Sequence, residues 1–266
     1  MYGFFQQNRK TDATYMISIN HLSIKTMSRR IRARTVENSL ANISGISMEL
    51  YNNTINEVIN ICKSIDVAKV QSDGRIDSAI KEGPFLQQLE KQLLAKYPDW
   101  DVVISPPRAF CDVKINSIPI NLKLTDCKTA DNSVNKSAIY FSITGKTDYP
   151  YSSNWNDFWR LLKEAKAQNC IKTERHKPTE YHYLVKNKIT GDVLLKPIFD
   201  IKTYISNPSN DLQIHWKNEF ASISYETEDV DYHNKVQELL CCLQKSVREM
   251  IARTQKFAEA DISELI

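Results

Sequence analysis

Apolar residues recur at three- and four-residue steps through Ile31, Leu40, Ile43, Ile46, Leu50, Ile55, Val58, Ile59 and Ile61. This spacing predicts helix over residues 24–66, with Gly45 as a break. Gln71-Ser72-Asp73-Gly74 reads as a turn. A second helix is expected over residues 84–97, with Phe85, Leu86, Leu89, Leu93 and Leu94 on one face. Pro84 suits its first turn, and Pro98 ends it. The period then changes from 3.6 to 2. Short strands are expected at 101–105, 110–115 and 119–125, with a fourth candidate at Ala138–Thr144. Residues 154–168 return to helix, with Trp155, Phe158, Trp159, Leu161, Leu162 and Ala165 expected inside. Tyr181–Val185 and Val193–Leu195 read as strands around Thr190-Gly191-Asp192. Leu212–Trp216 is a further strand, and a long helix closes the pattern over about 232–258. No repeat or linker interrupts this, so one α/β core with helical segments at both ends is expected, spanning 1–266 as a single domain with its core at about 80–220.

The stretch from Phe110 to Thr125 carries the strongest signal. If Asn116-Ser117 is a two-residue hairpin loop, Ile115 pairs with Ile118, Val113 with Ile120, and Asp112 with Asn121. One face then receives Cys111, Val113, Ile115, Ile118, Ile120, Leu122 and Leu124. The other receives Asp112, Lys114, Asn121 and Lys123. The unbroken apolar set supports the register. Directly opposite Cβ atoms lie about 5 Å apart, so an acid, an amide and a lysine converge on one patch.

Composition changes little in this picture. The chain is 42% hydrophobic and 25% charged, as ordinary globular proteins are. No run of about 18 apolar residues suggests a membrane span, and the N-terminal residues do not read as a signal peptide. A cytoplasmic protein is expected. The six cysteines form no CxxC pair, which favours reduced, buried thiols. The formal net charge is +3, but residues 107–220 carry 17 basic against 12 acidic residues, and Arg29-Arg30-Ile31-Arg32-Ala33-Arg34 adds a basic run. A polyanionic partner is compatible with this distribution.

The order helix, three strands, helix, strand, together with Asp112 and Asn121-Leu122-Lys123, resembles the PD-(D/E)xK nuclease superfamily, especially the type II restriction endonucleases. That family places an Asp on the second core strand and an acidic-x-Lys motif on the third. The resemblance covers about residues 80–190. It implies a PD-(D/E)xK-type core and a sequence-specific, Mg²⁺-dependent endonuclease acting on double-stranded DNA in a restriction system. A homodimer would match a palindromic target. Asp112, the backbone carbonyl of Leu122 and a further carboxylate would hold Mg²⁺, with Lys123 beside the attacking water. Asn121 departs from the pattern, because an amide brings no charge. Glu82 is the preferred compensating acid, with Glu90 as its competitor.

The resemblance leaves rivals open. Asp126-Cys127-Lys128 and Asp200-Ile201-Lys202 also spell DxK. A repair or recombination nicking nuclease, or a non-catalytic DNA-binding protein on a degenerate core, would share these residues. Lys128, Asn132, Asn135 and Lys136 follow the third strand in a polar loop able to reach a groove. Lys172, Arg175, His176 and Lys177 form a basic cluster suited to phosphate, and Asn210 lies in a turn that could touch DNA. No GxSxG motif or Gly-rich phosphate loop points elsewhere.

Overall fold

The computed structural model describes residues 46–67, 74–107, 109–150, 154–209, 211–222 and 231–259. The expected helix before residue 46, the Arg29–Arg34 run and most of the 71–74 turn lie outside the described residues. Residues Ile46–Ile266 form one compact unit. Helix α1 spans Met48–Ser64 and is capped by Ser47, whose hydroxyl accepts from the Leu50 N–H at 3.1 Å. Helix α2 spans Gly74–Lys96 and carries Pro84 inside it, not at its start. Proline crowds the Cβ of the residue before it, and here that residue is Gly83, which has none. The helix therefore passes through the proline and holds Glu82 within it.

Five strands build the main sheet in the order β1-β2-β3-β5-β6. They are β1 (Val102–Ile104), β2 (Val113–Ile115), β3 (Ile118–Thr125), β5 (His182–Asn187) and β6 (Val193–Pro197). β1, β2 and β3 form an antiparallel meander, β3 and β5 run parallel, and β6 returns antiparallel. The parallel step needs a crossover. It runs through β4 (Asp131–Val134), α3 (Lys136–Thr144) and α4 (Trp155–Ala167). A second, three-stranded antiparallel sheet has the order β4-β8-β7, with β7 at Tyr204–Ser206 and β8 at Leu212–Ile214. A short helix α5 (Trp216–Ala221) and a long helix α6 (Tyr232–Ala258) complete the mixed α/β architecture. Among the described residues, no helix is long and apolar enough to cross a membrane.

Several expectations are corrected. Ala138–Thr144 is helix, not strand. All seven of its residues are buried, so no polar face reveals a period. The caps decide it: the Asn135 side chain accepts from the Ala138 N–H, and Gly145 adopts φ 74° past the end. The expected polar loop after β3 contains strand β4, and Trp216 begins a helix instead of ending a strand. Trp159 is 58% exposed, not core, because Phe158, Leu162 and Ala165 take the buried face of α4. Cys241 is exposed, while Cys62, Cys111 and Cys127 are buried; all six thiols are free.

Two apolar clusters cover the main sheet. One gathers Val113, Ile115, Ile118, Ile120, Leu122 and Leu124 with Tyr51, Val58 and Cys62 of α1 and Phe85, Leu86, Leu89 and Leu93 of α2. The other gathers Tyr181, Tyr183 and Val185 with α3, β8, Trp216 and Leu239 and Leu243 of α6. Cys111 joins this second cluster, against expectation: it precedes β2, so no pleat fixes its side.

Strand β5 buries two polar side chains toward α1, and α1 satisfies both. Lys186 Nζ donates to the Cys62 and Lys63 carbonyls at 2.7 and 3.3 Å, where the helix terminus is negative. His182 Nδ1 lies 2.9 Å from the Glu180 carbonyl, and Nε2 lies 2.9 Å from the Tyr51 hydroxyl. A carbonyl only accepts, so Nδ1 carries the proton and Nε2 accepts. Burial pushes the His182 pKa down to about 3. The unfolded chain therefore takes up a proton near pH 6.5 that the folded chain refuses, and stability falls as pH drops below that point. The loss is about 1.4 kcal/mol per pH unit, or about 2 kcal/mol by pH 5. Buried carboxyls with raised pKa values pull the other way as pH falls, so the difference against His182→Gln is the readout. The parent should lose about 2 kcal/mol more than this variant between pH 7 and 5 in urea denaturation. Parallel pH profiles would show that the ring is not held neutral.

Candidate active site

The β2–β3 hairpin sets the site. Asn116 and Ser117 adopt φ 48° and 68°, the left-handed values of a tight two-residue turn. The register pairs Ile115 with Ile118 and Val113 with Ile120, as the alternation requires. Beyond Val113 the ladder continues for one bond, from the Asp112 N–H to the Ile120 carbonyl at 3.0 Å. β2 pairs with β3 only as far as Ile120, so the next rungs of β3 are open on that edge. N–H groups of alternate residues point to the same edge, so Leu122 and Leu124 present theirs to the gap. Two carboxylates fill it. Asp112 Oδ2 accepts from the Leu122 N–H at 2.8 Å. Glu82, reaching in from α2, accepts from the Leu124 N–H. Those rungs are about 7 Å apart along the strand.

Asn121 and Lys123 flank Leu122 on the opposite sheet face from the α1–α2 cluster. Asn121 Nδ2 donates to Asp112 Oδ2 at 2.8 Å, so the acid and the amide meet as the register implies. The Asn121 Oδ1 atom is buried and makes no hydrogen bond within the described residues. Lys123 is half-buried, and its charge acts on Asp112, Glu82 and Asp131 alike. Asp131, at the start of β4, also bonds the Thr125 side chain at the end of β3. Burial raises the pKa of all three carboxyls. The Leu122 N–H and Lys123 oppose this at Asp112; Lys123, the Leu124 N–H and Lys188 oppose it at Glu82. The Asp112 charge raises the Glu82 pKa further. Three partly desolvated acids around one lysine are a place where added positive charge is favourable.

The donor chemistry fits Mg²⁺, which is bound by one or two carboxylates and keeps several waters. Both hydrogen bonds to Asp112 fall on Oδ2, so Oδ1 keeps its lone pairs. The Leu122 carbonyl shares the open edge with its own N–H, beside Asp112. Asn121 is a weaker ligand than an acid, because its unbonded Oδ1 brings no charge. Among the described residues, no group of three or more His, Cys, Asp or Glu gathers closely enough to form an all-protein metal cage.

The competing DxK motifs resolve into structural roles. β3 ends at Thr125, so Asp126 leaves the sheet and accepts from the Lys128 N–H at 3.2 Å. Asp200 binds Arg175 at 2.7 Å and lies 3.6 Å from Lys177. Of the two candidate glutamates, Glu82 feels the charges of both Asp112 and Lys123. Asp131 is the acid that sequence reasoning missed.

The sequence-proposed DNA contacts divide in two. Lys128, Asn132 and Asn135 are exposed and follow directly from β3. Lys128 pairs with Asp126 at 3.2 Å, Asn135 caps α3, and Lys136 is half-buried over the Trp155 ring, 3.5 Å from Asp211. Of the 172–177 cluster, His176 is exposed, while Lys172, Arg175 and Lys177 are turned inward. Lys172 Nζ donates to the Ser142 and Thr179 carbonyls at 3.0 and 2.7 Å, and burial lowers its pKa to about 8. Arg175 grips Glu180 at 2.8 Å as well as Asp200. Lys177 shares Asp200, and Asn210 lies outside the described residues. Compared with known protein families, curated proteins and solved structures, the chain matches none.

Proposed function

We propose that the chain is a Mg²⁺-dependent endonuclease that cuts double-stranded DNA at defined sites, in the manner of type II restriction enzymes. The observation that carries this reading is the vacated edge of β3, where Asp112 and Glu82 cap the Leu122 and Leu124 N–H groups beside Lys123. The element order α2, β1, β2, β3, crossover helices, β5, with β3 and β5 parallel, supports a PD-(D/E)xK-type core. Asp112, Glu82 and the Leu122 carbonyl would hold the metal. A bound Mg²⁺ would make a water nucleophilic and offset charge on the phosphate. Lys123 orients that water and stabilises negative charge as it develops. Asn121 acts as the hydrogen-bond donor that keeps the Asp112 carboxylate in place. A homodimer would suit a palindromic target.

A second reading keeps the core and drops the chemistry: a DNA-binding protein with a degenerate site. The neutral Asn121 in place of an acid favours it. Incubation of the full chain with phage-sized duplex DNA and Mg²⁺ separates the two. Discrete fragments support the endonuclease. Tight binding with intact DNA in both Mg²⁺ and Mn²⁺ supports the second reading and removes the first.

A further inference from the structure

The small sheet has an outer face that neither the core nor the site accounts for. Its register aligns Asn132 of β4 with Gln213 of β8, and Gln213 with Ile205 of β7. The inner face, with Val134, Leu212 and Ile214, is buried in the second cluster. The outer row is not: Asn132 is exposed, Gln213 half-buried, and Ile205 40% exposed. Strict alternation would put Asn132 and Val134 on one face. A register shift between them sends Asn132 out while Val134 stays in. Gln213 Nε2 donates to Asn132 Oδ1 at 2.9 Å, so each amide holds the other. That bond leaves Gln213 Oε1 to accept and Asn132 Nδ2 to donate.

This row is continuous with the candidate site. Asp131, next to Asn132, bonds the Thr125 side chain and feels the Lys123 charge. Two exposed lysines flank the row: Lys128 on the β3–β4 connection and Lys202 just ahead of β7. Strands lie about 4.8 Å apart, so the row spans about 10 Å. The major groove is about 12 Å wide. Within it, adenine offers a donor at N6 and an acceptor at N7, and thymine offers a methyl group.

Resting on the endonuclease reading, we propose that the outer face of the β4-β8-β7 sheet reads bases in the major groove, with Asn132 and Gln213 recognising an adenine and Ile205 meeting a thymine methyl. The lysines on either side contact phosphates, which carry no sequence information.

The test digests phage-sized duplex DNA with the full chain in Mg²⁺ and sequences the cut ends. The parent, Gln213→Ala and Gln213→Glu are compared, with thermal melting to check folding. The parent's cut ends should share a motif containing an A·T pair. Gln213→Ala should cut that motif roughly 5- to 150-fold more slowly and accept other pairs at one A·T position only. Gln213→Glu, which can accept but not donate, should shift that position toward C·G. If the parent cuts and both variants keep its motif and rate, the base-reading assignment is overturned while the nuclease reading stands. A uniform slowing at an unchanged motif overturns it too. A parent that cuts nothing overturns the nuclease reading and this assignment with it.

Discussion

Asp112→Ala should lower duplex DNA cleavage by at least about three orders of magnitude, and Lys123→Ala should do nearly the same. Asp112 Oδ2 joins the Leu122 N–H and the Asn121 amide, which leaves Oδ1 for the proposed cation. Loss of a metal ligand removes several kcal/mol of charge stabilisation, and loss of one preorganised cationic group costs roughly 10²–10³ in rate. Asp112→Asn separates chemistry from folding. Its side-chain oxygen can still accept from the Leu122 N–H, yet it brings no charge. Burial raises the Asp112 pKa, so the ionised carboxylate opposes folding at neutral pH. The Asn variant should therefore melt no lower than the parent while being as inactive as the Ala variant. Such a pairing is expected where a site is shaped for a cation and not for stability. Cleavage by either Asp112 variant within tenfold of the parent would remove the patch from the mechanism.

The part of this site that can be read from sequence is local. The hairpin needs only a two-residue loop and an unbroken apolar face, and both are visible between Cys111 and Leu124. From these the register follows, and with it the meeting of Asp112 and Asn121. Glu82 is half legible. Its identity stands out ahead of Pro84, but its place inside α2 depends on Gly83 relieving the proline clash. Asp131 is not legible at all. It reaches Lys123 and Thr125 because β4 pairs with β8, some 80 residues later, and no local pattern announces a four-residue strand of Asp, Asn, Ser and Val. The α3 error has a different cause. A wholly buried segment loses the polar face that distinguishes a period of 3.6 from a period of 2, and only Asn135 and Gly145 mark its ends. Lys172 and Arg175 show the limit of reading charge from sequence. A basic cluster can answer buried carbonyls and carboxylates as readily as phosphate.

Glu219→Ala should destabilise the fold by about 3–5 kcal/mol, the cost of stranding partners of a buried charge. Its side chain is fully buried in α5 and takes four hydrogen bonds. Oε1 accepts from the Lys202 N–H at 3.0 Å, the Thr203 N–H at 2.8 Å and the Thr203 hydroxyl at 2.6 Å. Oε2 accepts from Lys196 Nζ at 2.9 Å. Alanine leaves two backbone donors without an acceptor and the Lys196 ammonium with only its longer contacts, 3.4 Å each, to the residue-219 carbonyl and the Ser222 hydroxyl. Glu219→Gln keeps one oxygen for the Lys202–Thr203 turn and fails only toward Lys196, so it should cost less than the Ala variant. Pairing Glu219→Leu with Lys196→Met removes both charges and should recover part of the loss. Urea denaturation of the four proteins measures this order. A Glu219→Ala variant within about 1 kcal/mol of the parent would mean that the carboxylate is not the anchor of this corner. On the proposed base-reading role the corner would also bear on function, because Lys202 and Thr203 lead straight into β7 and its Ile205. A chain loosened there should lose discrimination between DNA sites at temperatures where Asp112 and Lys123 still cut.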